Sequence, residues 1–354
     1  MKTLYLAMEK NVLVARQHHG DWQMESHLDG LQALCLATDP LHPERVYCGT
    51  YRRGLWHSKD AGRTWQPIGD LPMVPRGASG IHYSDITALA VSAIERAGEY
   101  GVVYAGTEPG AMFRSEDGGT SWQDLASLRE LPSSSTWSFP PKPDTHHVRW
   151  ITPDPHVAGR VFVAVEAGAL VRTLDGGATW EDRVDDGPYD THTLVMHPQV
   201  PDRLYVAAGD GFVRPNRGYQ ESHDGGKTWH YPNEGLRDQY LFGVAVDAGN
   251  PETIIVSAAS TPQAAHHRYR SEATIYRKTQ GQPWQEITNS LYEAKGSMTA
   301  VITNSAAESG VFYLLSNHGC YHSTDAGLSW EPLPLPWGEH LHHQHPEAVA
   351  VGEV

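Results

Sequence analysis

The stretch Ser222-His223-Asp224-Gly225-Gly226-Lys227-Thr228-Trp229 indicates the fold of this chain. It follows the pattern Ser/Thr-x-Asp-x-Gly-x-Thr/Ser-Trp. Four further copies of this octad occur, at Ser58–Trp65, Ser115–Trp122, Thr173–Trp180 and Ser323–Trp330. Self-similarity at a spacing of about 40–60 residues is typical of architectures that stack similar units or arrange them in a ring. The five octads therefore predict a repeat protein.

Each octad is predicted to form a rigid turn between two β-strands. The Ser or Thr and the Asp can hydrogen-bond backbone groups of their own turn, as short polar side chains commonly do. The Gly at the fifth position supplies a backbone conformation with positive φ. The Trp begins the next strand and lies back over the turn, where its large ring is buried. We therefore interpret the octads as structural elements of β-hairpins, without a chemical role.

The octads resemble the Asp-box (BNR) repeat of sialidase-like β-propellers, which also occurs in sortilin-like receptors and xyloglucanase-like glycosidases. A second shared segment runs from Asp39 to Thr50 and is echoed at 154–163 and 198–206. The resemblance covers nearly the whole chain and implies an all-β fold, with one propeller domain over residues 1–354. It does not select a function, because such propellers include hydrolases, receptors and assembly factors.

The composition restricts the classes of partner. The chain has 354 residues, with 27 Lys and Arg against 42 Asp and Glu, so its formal net charge is -15 at pH 7. Nucleic acid is not expected as a partner, because a phosphate backbone needs a basic surface. No run approaches the roughly 18 apolar residues of a membrane span, so no membrane association is expected.

The cysteines and the N-terminal residues predict a reducing compartment. The three cysteines, Cys35, Cys48 and Cys320, are an odd number in a long chain and give no disulfide framework. Residues 1–11 contain only a short apolar run before Glu9, which is not a signal-peptide pattern. We therefore expect a cytoplasmic protein with buried thiols.

Seven tryptophans are placed to begin an outer strand, and they predict seven blades of four antiparallel strands. They are Trp22, Trp65, Trp122, Trp180, Trp229, Trp284 and Trp330, of which Trp22 and Trp284 lack a proper octad. Blades 2 to 7 are predicted at about 30–72, 84–128, 146–186, 190–235, 240–290 and 297–335. The innermost strand of each blade is a continuous apolar run, as expected for a strand buried on both faces.

The two chain ends are predicted to complete blade 1. Residues 1–29 supply three strands but no innermost strand, while the tail at 346–354 contains the apolar run Ala348-Val349-Ala350-Val351. Pairing this tail with the N-terminal strands in one blade closes the ring and removes the open sheet edges. A ring of six blades with extra edge strands is the alternative.

The loops between the strands fall into two groups, which lie on opposite faces of the predicted ring. The octad turns are short and repetitive and share one face with the links between first and second strands. The other face carries the long, unlike loops at 70–84, 126–147, 209–218, 258–273 and 333–346. Function tends to collect where variable loops lie on a rigid scaffold. This second face, called the irregular face below, is therefore the candidate functional face.

Acidic and histidine side chains concentrate where the irregular face meets the predicted central channel. Some precede or begin innermost strands and others follow second strands. The candidate catalytic acids and bases are Glu108, Glu166, Asp190 and Asp85. Glycoside cleavage needs two carboxyl groups acting as a pair, and the sequence does not select which two.

A divalent metal ion is the cofactor that these side chains suggest, because imidazoles and carboxylates from different blades could hold one on the axis. The candidate metal ligands are His147, His192, His345 and His82. The irregular face also gathers arginines on an otherwise acidic protein, and a guanidinium binds carboxylate or phosphate through two nitrogens. The candidate substrate-binding residues are Arg52, Arg53, Arg214, Asp210 and His318. Ordinary solvated loop residues are the alternative interpretation of these side chains.

Two functions remain open from the sequence. The first is a hydrolase or lyase with an axial His/carboxylate site, with or without a metal ion, acting on a small anionic or sugar-like substrate. The second is a propeller without catalytic activity that binds a protein or peptide on the irregular face. The first requires several of the named groups around one buried pocket, whereas the second requires a broad exposed surface with apolar anchors.

Overall fold

A computed structural model of the chain describes residues 2–68, 80–81, 83–288, 291 and 293–353. These residues form seven antiparallel sheets that follow one another around a central channel. Within each sheet, neighbouring strands are joined mainly by hairpins, so each sheet is one blade. The predicted seven-bladed β-propeller is confirmed.

The first half of the chain supplies the strands of blades 1 to 4. Blade 1 begins with β1 (Lys2–Met8), β2 (Asn11–His18) and β3 (Asp21–His27). Blade 2 contains β4 (Ala33–Asp39), β5 (His42–Thr50), β6 (Leu55–Ser58) and β7 (Gln66–Ile68). Blade 3 contains β8 (Asp85–Ala97), β9 (Tyr100–Glu108), β10 (Met112–Ser115) and β11 (Gln123–Asp124). Blade 4 contains β12 (Val148–Pro153), β13 (Val161–Val165) and β14 (Ala169–Thr173).

The second half supplies blades 5 to 7 and the last strand. Blade 5 contains β15 (Thr191–His197), β16 (Val200–Ala208) and β17 (Tyr219–Ser222). Blade 6 contains β18 (Tyr240–Asp247), β19 (Asn250–Ala259), β20 (Ala273–Lys278) and β21 (Gln285–Glu286). Blade 7 contains β22 (Val301–Asn304), β23 (Phe312–Ser316), β24 (Gly319–Ser323) and β25 (Glu331–Pro332), and β26 (Pro346–Glu353) follows.

Blades 4 and 5 differ from the other five in their outermost strand. In the described residues this strand is reduced to one bridge in each blade, Arg172 with Glu181 and Glu221 with His230. Short helices lie in the long loops of the irregular face. They are the 3₁₀ helices Ala126–Glu130, Pro132–Thr136, Gly209–Phe212 and Glu339–His343, and the α-helix α1 (Pro262–His266).

The ring is closed by the two ends of the chain, as predicted. Strand β26 pairs antiparallel with β1, from Lys2 opposite Glu353 to Met8 opposite Pro346. The sheet order is β26-β1-β2-β3, so β26 is the innermost strand that residues 1–29 lack. Both flanks of β1 are therefore paired, and no open edge is left inside the blade.

The octad turn of blade 5 shows how the Asp boxes work. Ser222 Oγ accepts the N–H of Gly226 at 2.8 Å and donates to Asp224 Oδ1 at 2.8 Å. The two carboxylate oxygens of Asp224 accept the Thr228 N–H at 2.9 Å and its hydroxyl at 2.7 Å. Gly226 has φ +84°, which L side chains rarely adopt. The ring of Trp229 is buried over this turn, so the structural interpretation of the octad holds.

Large side chains at equivalent positions of the second strands fill the spaces between blades. Fully or almost fully buried aromatic rings occupy this position in six blades: Tyr5, Tyr47, Tyr104, Phe162, Tyr205 and Tyr313. Burying one such ring contributes about 2–3 kcal/mol. Burial also raises the pKa of Tyr5 to about 12. The repeat is thus visible in the core as well as in the turns.

The innermost strands of all seven blades line the central channel. A cavity of about 650 Å³ lies toward the Asp-box face, where Asp39 and Asn304 end two of these strands. Toward the irregular face the channel narrows to a cavity of about 100 Å³ whose lining includes the charged side chains of Arg149 and Glu347.

Cys35, Cys48 and Cys320 are free thiols. None of the described helices is both long and apolar enough to span a bilayer.

Candidate functional site

A polar cluster lies where the narrow part of the channel meets the irregular face. Blade 4 contributes Glu166, which follows β13, and blade 5 contributes Asp190 and His192 at the entrance of β15. Carboxylate oxygens of Glu166 and Asp190 and a ring nitrogen of His192 all lie within 4.8 Å of one another. Three of the predicted site residues are therefore brought together at one point.

The ring of His192 is fully buried, and one hydrogen bond fixes its tautomer. Its Nδ1 lies 2.6 Å from the carbonyl oxygen of Leu241, which can only accept, so Nδ1 carries the hydrogen. In the neutral ring Nε2 is then the acceptor. This atom lies 3.7 Å from Asp190 Oδ1 and 4.0 Å from Glu166 Oε1. Nε2 of His192 therefore faces the two carboxyl groups, as a donor when the ring is charged and as an acceptor when it is neutral.

Basic groups hold Glu166 in its ionised form. Its Oε2 lies 2.9 Å from His147 Nε2 and 3.6 Å from Arg149 Nε. Burial opposes ionisation, but the hydrogen bond to His147 and the charges of His147, His192 and Arg149 outweigh it. The pKa of Glu166 therefore lies below its usual range. Arg149 also stacks over the ring of Phe242, 4.8 Å from its centroid, which fixes the guanidinium in place.

Asp190 has the opposite electrostatic environment. Burial raises its pKa, and repulsion from Glu166 and Asp210 adds to this effect, although the charge of His192 acts against it. Its Oδ1 accepts the backbone N–H of Ala167 at 3.1 Å. Two neighbouring carboxyl groups whose pKa values are displaced in opposite directions form the arrangement expected of a base or nucleophile beside an acid.

The space beside Asp190 is too small for a methyl group. Gly209 follows β16, and a Cβ at this position would lie 2.1 Å from Asp190 Oδ2. The same Cβ would lie 2.9 Å from the rings of His192 and Tyr240. The N–H of Gly209 also donates to the carbonyl oxygen of Asp190 at 2.8 Å. Close approach of the backbone therefore requires glycine here.

Hydrogen-bonding side chains continue from His192 across the channel to blade 1. The hydroxyl of Tyr240 lies 3.3 Å from His192 Nε2 and 3.1 Å from His266 Nε2. His266 Nδ1 lies 2.8 Å from His345 Nε2, and His345 Nδ1 lies 3.3 Å from Glu347 Oε1. Burial, together with the charges of His345 and His192, holds the pKa of His266 well below its usual value. The ring of His266, in the middle of this series of hydrogen-bonded side chains, is therefore neutral.

Glu108 and Asp85 lie in blade 3 and are bound to other groups. Glu108 pairs with Lys142, whose Nζ lies 3.0 Å from its Oε1. Asp85 Oδ1 accepts the backbone N–H of Arg52 at 2.8 Å and the hydroxyl of Ser84 at 3.0 Å. The structure does not bring these two carboxyl groups to the cluster formed by Glu166.

The three predicted substrate-binding arginines also lie apart from the cluster. Arg52, Arg53 and Arg214 are exposed, the first two on blade 2 and the third beyond the 3₁₀ helix of blade 5. The guanidinium of Arg52 stacks on the ring of Tyr51, 4.8 Å from its centroid. An anion bound beside Glu166 would therefore not be held by these side chains.

Besides His147, the predicted residue Asp210 also adjoins the cluster. It is buried behind Asp190, and its Oδ2 accepts the N–H of Tyr189 at 3.0 Å and the amide of Gln220 at 2.8 Å. His318 lies in blade 7, where its Nε2 is 3.2 Å from the carbonyl oxygen of Gly296. His82 lies outside the described residues. Asp210 is thus a supporting residue of the site.

Four residues of the site lie outside the predicted catalytic, substrate-binding and metal-ligating sets: Arg149, Tyr240, His266 and Glu347. A signal existed for Arg149, because a charged residue within the apolar innermost strand Val148–Pro153 has to face the channel or find a partner. Tyr240 and His266 belong to long loops or strand entrances that contain many similar residues. Nothing in their spacing distinguishes them.

Large apolar side chains are exposed beside the cluster on the irregular face. They are Tyr189 (37%), Phe212 (50%), Val213 (78%) and Tyr269 (78%). Tyr189 directly precedes Asp190, and the helix α1 that ends in His266 leads to Tyr269. The mouth of the channel is therefore flanked by surfaces on which a flat ligand can stack.

Comparison with known families identifies the repeat. The BNR/Asp-box repeat family matches residues 220–231. The xyloglucanase Xgh74A of Acetivibrio thermocellus is 26% identical over 292 residues, which are 71% of this chain and 32% of that protein. The chain thus spans about a third of the length of the curated relatives it matches.

Solved structures share the propeller. The GH74 xyloglucanase from Xanthomonas campestris superposes with a TM-score of 0.64 at 16% identity, over 93% of this chain and 52% of that one. YCF48 bound to D1 peptide superposes with a TM-score of 0.56 at 16% identity, over 85% of this chain and 80% of that one. At this identity the two structures show a common fold alone. Together with the octads and the seven closed blades, these matches fit a BNR/Asp-box repeat β-propeller with xyloglucanase-like relatives.

Proposed function

We propose that the protein hydrolyses a glycosidic bond of a sugar-like substrate at the mouth of its channel. The observation that carries this proposal is the pair formed by Glu166 and Asp190. Oxygens of the two groups lie within 4.8 Å, and their pKa values are displaced in opposite directions. Retaining glycosidases use carboxyl groups about 5–5.5 Å apart, whereas inverting enzymes need about 6.5–9.5 Å. An oxygen of each group within 4.8 Å of the other lies below the range of inverting enzymes, so we propose hydrolysis with retention of configuration.

In the proposed reaction the two carboxyl groups have different roles. Asp190 donates its proton to the glycosidic oxygen as the bond between that oxygen and the anomeric carbon breaks. Glu166 attacks the anomeric carbon through Oε1, because Oε2 is engaged by His147, and a covalent glycosyl intermediate forms. Water then displaces Glu166 from the sugar and returns a proton to Asp190. His147 and Arg149 support the reaction by holding Glu166 ionised.

The surroundings favour an uncharged sugar over an anion. Arg149, the guanidinium at the site, already faces Glu166 at 3.6 Å. The exposed aromatic rings of Tyr189, Phe212 and Tyr269 offer stacking faces beside the mouth. The relatives named xyloglucanases agree with a carbohydrate substrate. We therefore propose an uncharged oligosaccharide as the substrate.

The test is hydrolysis of a panel of xyloglucan, its oligosaccharides and nitrophenyl glycosides, measured in the presence of EDTA. Glu166→Gln and Asp190→Asn should each lower kcat/KM by about 10²–10⁴-fold, because each removes one acid–base partner. Glu108→Gln is the matched control, since Glu108 pairs with Lys142 in another blade. Activity should fall as the pH rises through the raised pKa of Asp190, which must be protonated. A panel without turnover, or an unaffected Glu166→Gln variant, would overturn the proposal.

Binding of a peptide on the irregular face is a second candidate function. Val213 and Tyr269 are each 78% exposed, as apolar anchors for a partner would be. The structural neighbour YCF48 has a D1 peptide bound. If this function is correct, Val213→Ser and Tyr269→Ser will abolish binding to a peptide array, while Glu166→Gln will not. If Glu166→Gln abolishes turnover of the sugar panel while Val213→Ser and Tyr269→Ser retain it, hydrolysis is the correct function.

A further inference from the structure

We propose that Glu166, Asp190 and His192 bind one divalent transition-metal ion. This inference goes beyond the proposed hydrolysis and does not depend on it. The three side chains are brought together from two neighbouring blades, and one donor atom from each lies within 4.8 Å of the other two. His192 has an exposed fraction of 0%, so a ring nitrogen aimed at two carboxyl groups is shielded from solvent.

The donor distances are close to those of a metal site. Zinc binds imidazole and carboxylate at about 2.0–2.2 Å, so tetrahedral ligand atoms lie about 3.3–3.5 Å apart. His192 Nε2 already lies 3.7 Å from Asp190 Oδ1 and 4.0 Å from Glu166 Oε1. Closing both gaps requires small rotations of the two carboxyl groups. Their side chains are 16% and 23% exposed, so solvent can supply a further ligand from the mouth of the channel.

Each donor is also oriented by a second group, as metal ligands usually are. The Leu241 carbonyl oxygen accepts from Nδ1 of His192, so Nε2 is the nitrogen that would coordinate, in place of its hydrogen bond with the Tyr240 hydroxyl. His147 binds Glu166 Oε2 and leaves Oε1 directed toward His192. The three donors are therefore positioned before any ion arrives.

The donor set selects the class of ion. One imidazole and two carboxylates suit Zn²⁺, Co²⁺ or Mn²⁺, whereas Ca²⁺ and Mg²⁺ prefer oxygen ligands only. An ion at this position would occupy the carboxylate oxygens that the proposed hydrolysis uses. Loading the stripped, chelator-free protein with Zn²⁺ is therefore expected to inhibit any turnover that the stripped protein shows.

The test is a calorimetric titration of tag-free protein, stripped with EDTA and freed of the chelator, with Zn²⁺. We expect one ion per chain, and Co²⁺ should give visible absorption bands of a four- or five-coordinate site. Asp190→Asn and His192→Gln should each weaken Zn²⁺ binding by about 100-fold. Even changes to groups that only hydrogen-bond a metal ligand lower metal affinity by about 10–100-fold. Glu166→Gln provides a third variant of unchanged size, and circular dichroism checks the folding of each.

Surface histidines provide the matched control. His340 and His343 are exposed on a 3₁₀ helix of the irregular face and could bind zinc independently of the cluster. The double variant His340→Gln/His343→Gln should retain the tight site. Failure to bind Zn²⁺, or binding that disappears only in this double variant, would overturn the inference. Hydrolysis measured in EDTA tests the proposed function separately, so the two ideas can fail independently.

Discussion

Replacing Asp224 by alanine should lower the stability of the propeller by about 2 kcal/mol. The carboxylate accepts the N–H groups of Lys227 and Thr228 at 3.0 and 2.9 Å, the Thr228 hydroxyl at 2.7 Å and the Ser222 hydroxyl at 2.8 Å. Each such bond is worth about 0.5–1.5 kcal/mol net, and the sum is reduced because the turn is partly solvated. These bonds lower the pKa of Asp224 from 3.8 to about 2, against the effect of burial. Because the carboxylate is partly exposed, solvent screening leaves only part of that shift, on the order of 1 kcal/mol, as stability in addition to the backbone ordering of the turn.

Thermal unfolding of the two proteins is the assay. In a chain of this length, about 2 kcal/mol corresponds to a fall in Tm of about 2–4 °C. Asp224→Asn is the matched control, because its amide oxygen can still accept the backbone N–H groups of Lys227 and Thr228. It should lose about half as much stability. If the alanine variant melts like the wild type, or the asparagine variant falls as far as alanine, the hydrogen-bond argument is refuted.

Three further perturbations follow from the fold and the site. Deleting residues 346–353 removes the partner of β1, so the variant should aggregate or melt at a lower temperature, as measured by light scattering and calorimetry; a monodisperse variant with an unchanged melting curve would contradict the closure. Gly209→Ala should destabilise the protein by about 1–3 kcal/mol and abolish sugar hydrolysis, because its Cβ would lie 2.1 Å from Asp190 Oδ2; an unchanged melting curve and activity would contradict the packing. The pKa of Asp60 is lowered to about 2, below its unfolded value of about 3.9, so the stability it contributes is present above pH 4 and lost as the pH falls toward 2. Chemical unfolding of Asp60→Asn should accordingly show a shallower decline in stability over that interval than the wild type.

The repeat and the closure of the ring could be predicted because both depend on local patterns. The Asp box at Ser222–Trp229 makes its hydrogen bonds within eight residues, so its structure follows from its own sequence. Residues 1–29 supply three strands of a four-stranded unit, and the apolar tail at 346–354 is the missing strand. No long-range geometry was needed for either prediction.

The site was only partly predictable because it depends on which blades are neighbours and which side chains already have partners. Glu166 and Asp190 meet because one ends a second strand and the other begins the adjacent innermost strand. Glu108 also ends a second strand, but it forms an ion pair with Lys142 of a long loop instead of joining the cluster. Sequence spacing cannot reveal such a pairing. Tyr240 acquires its place only through contacts with His192 and His266 across two blades.

The pairing of β1 with β26 has a consequence for how the protein is made. Strand β1 is synthesised before the six other blades, whereas its inner neighbour β26 is synthesised only after them. Until then the hydrogen-bonding edge of Lys2–Met8 is exposed to any other strand nearby. The nascent chain therefore exposes an unpaired strand edge until β26 has been made, and pairing of β26 with β1 ends the risk of association through that edge.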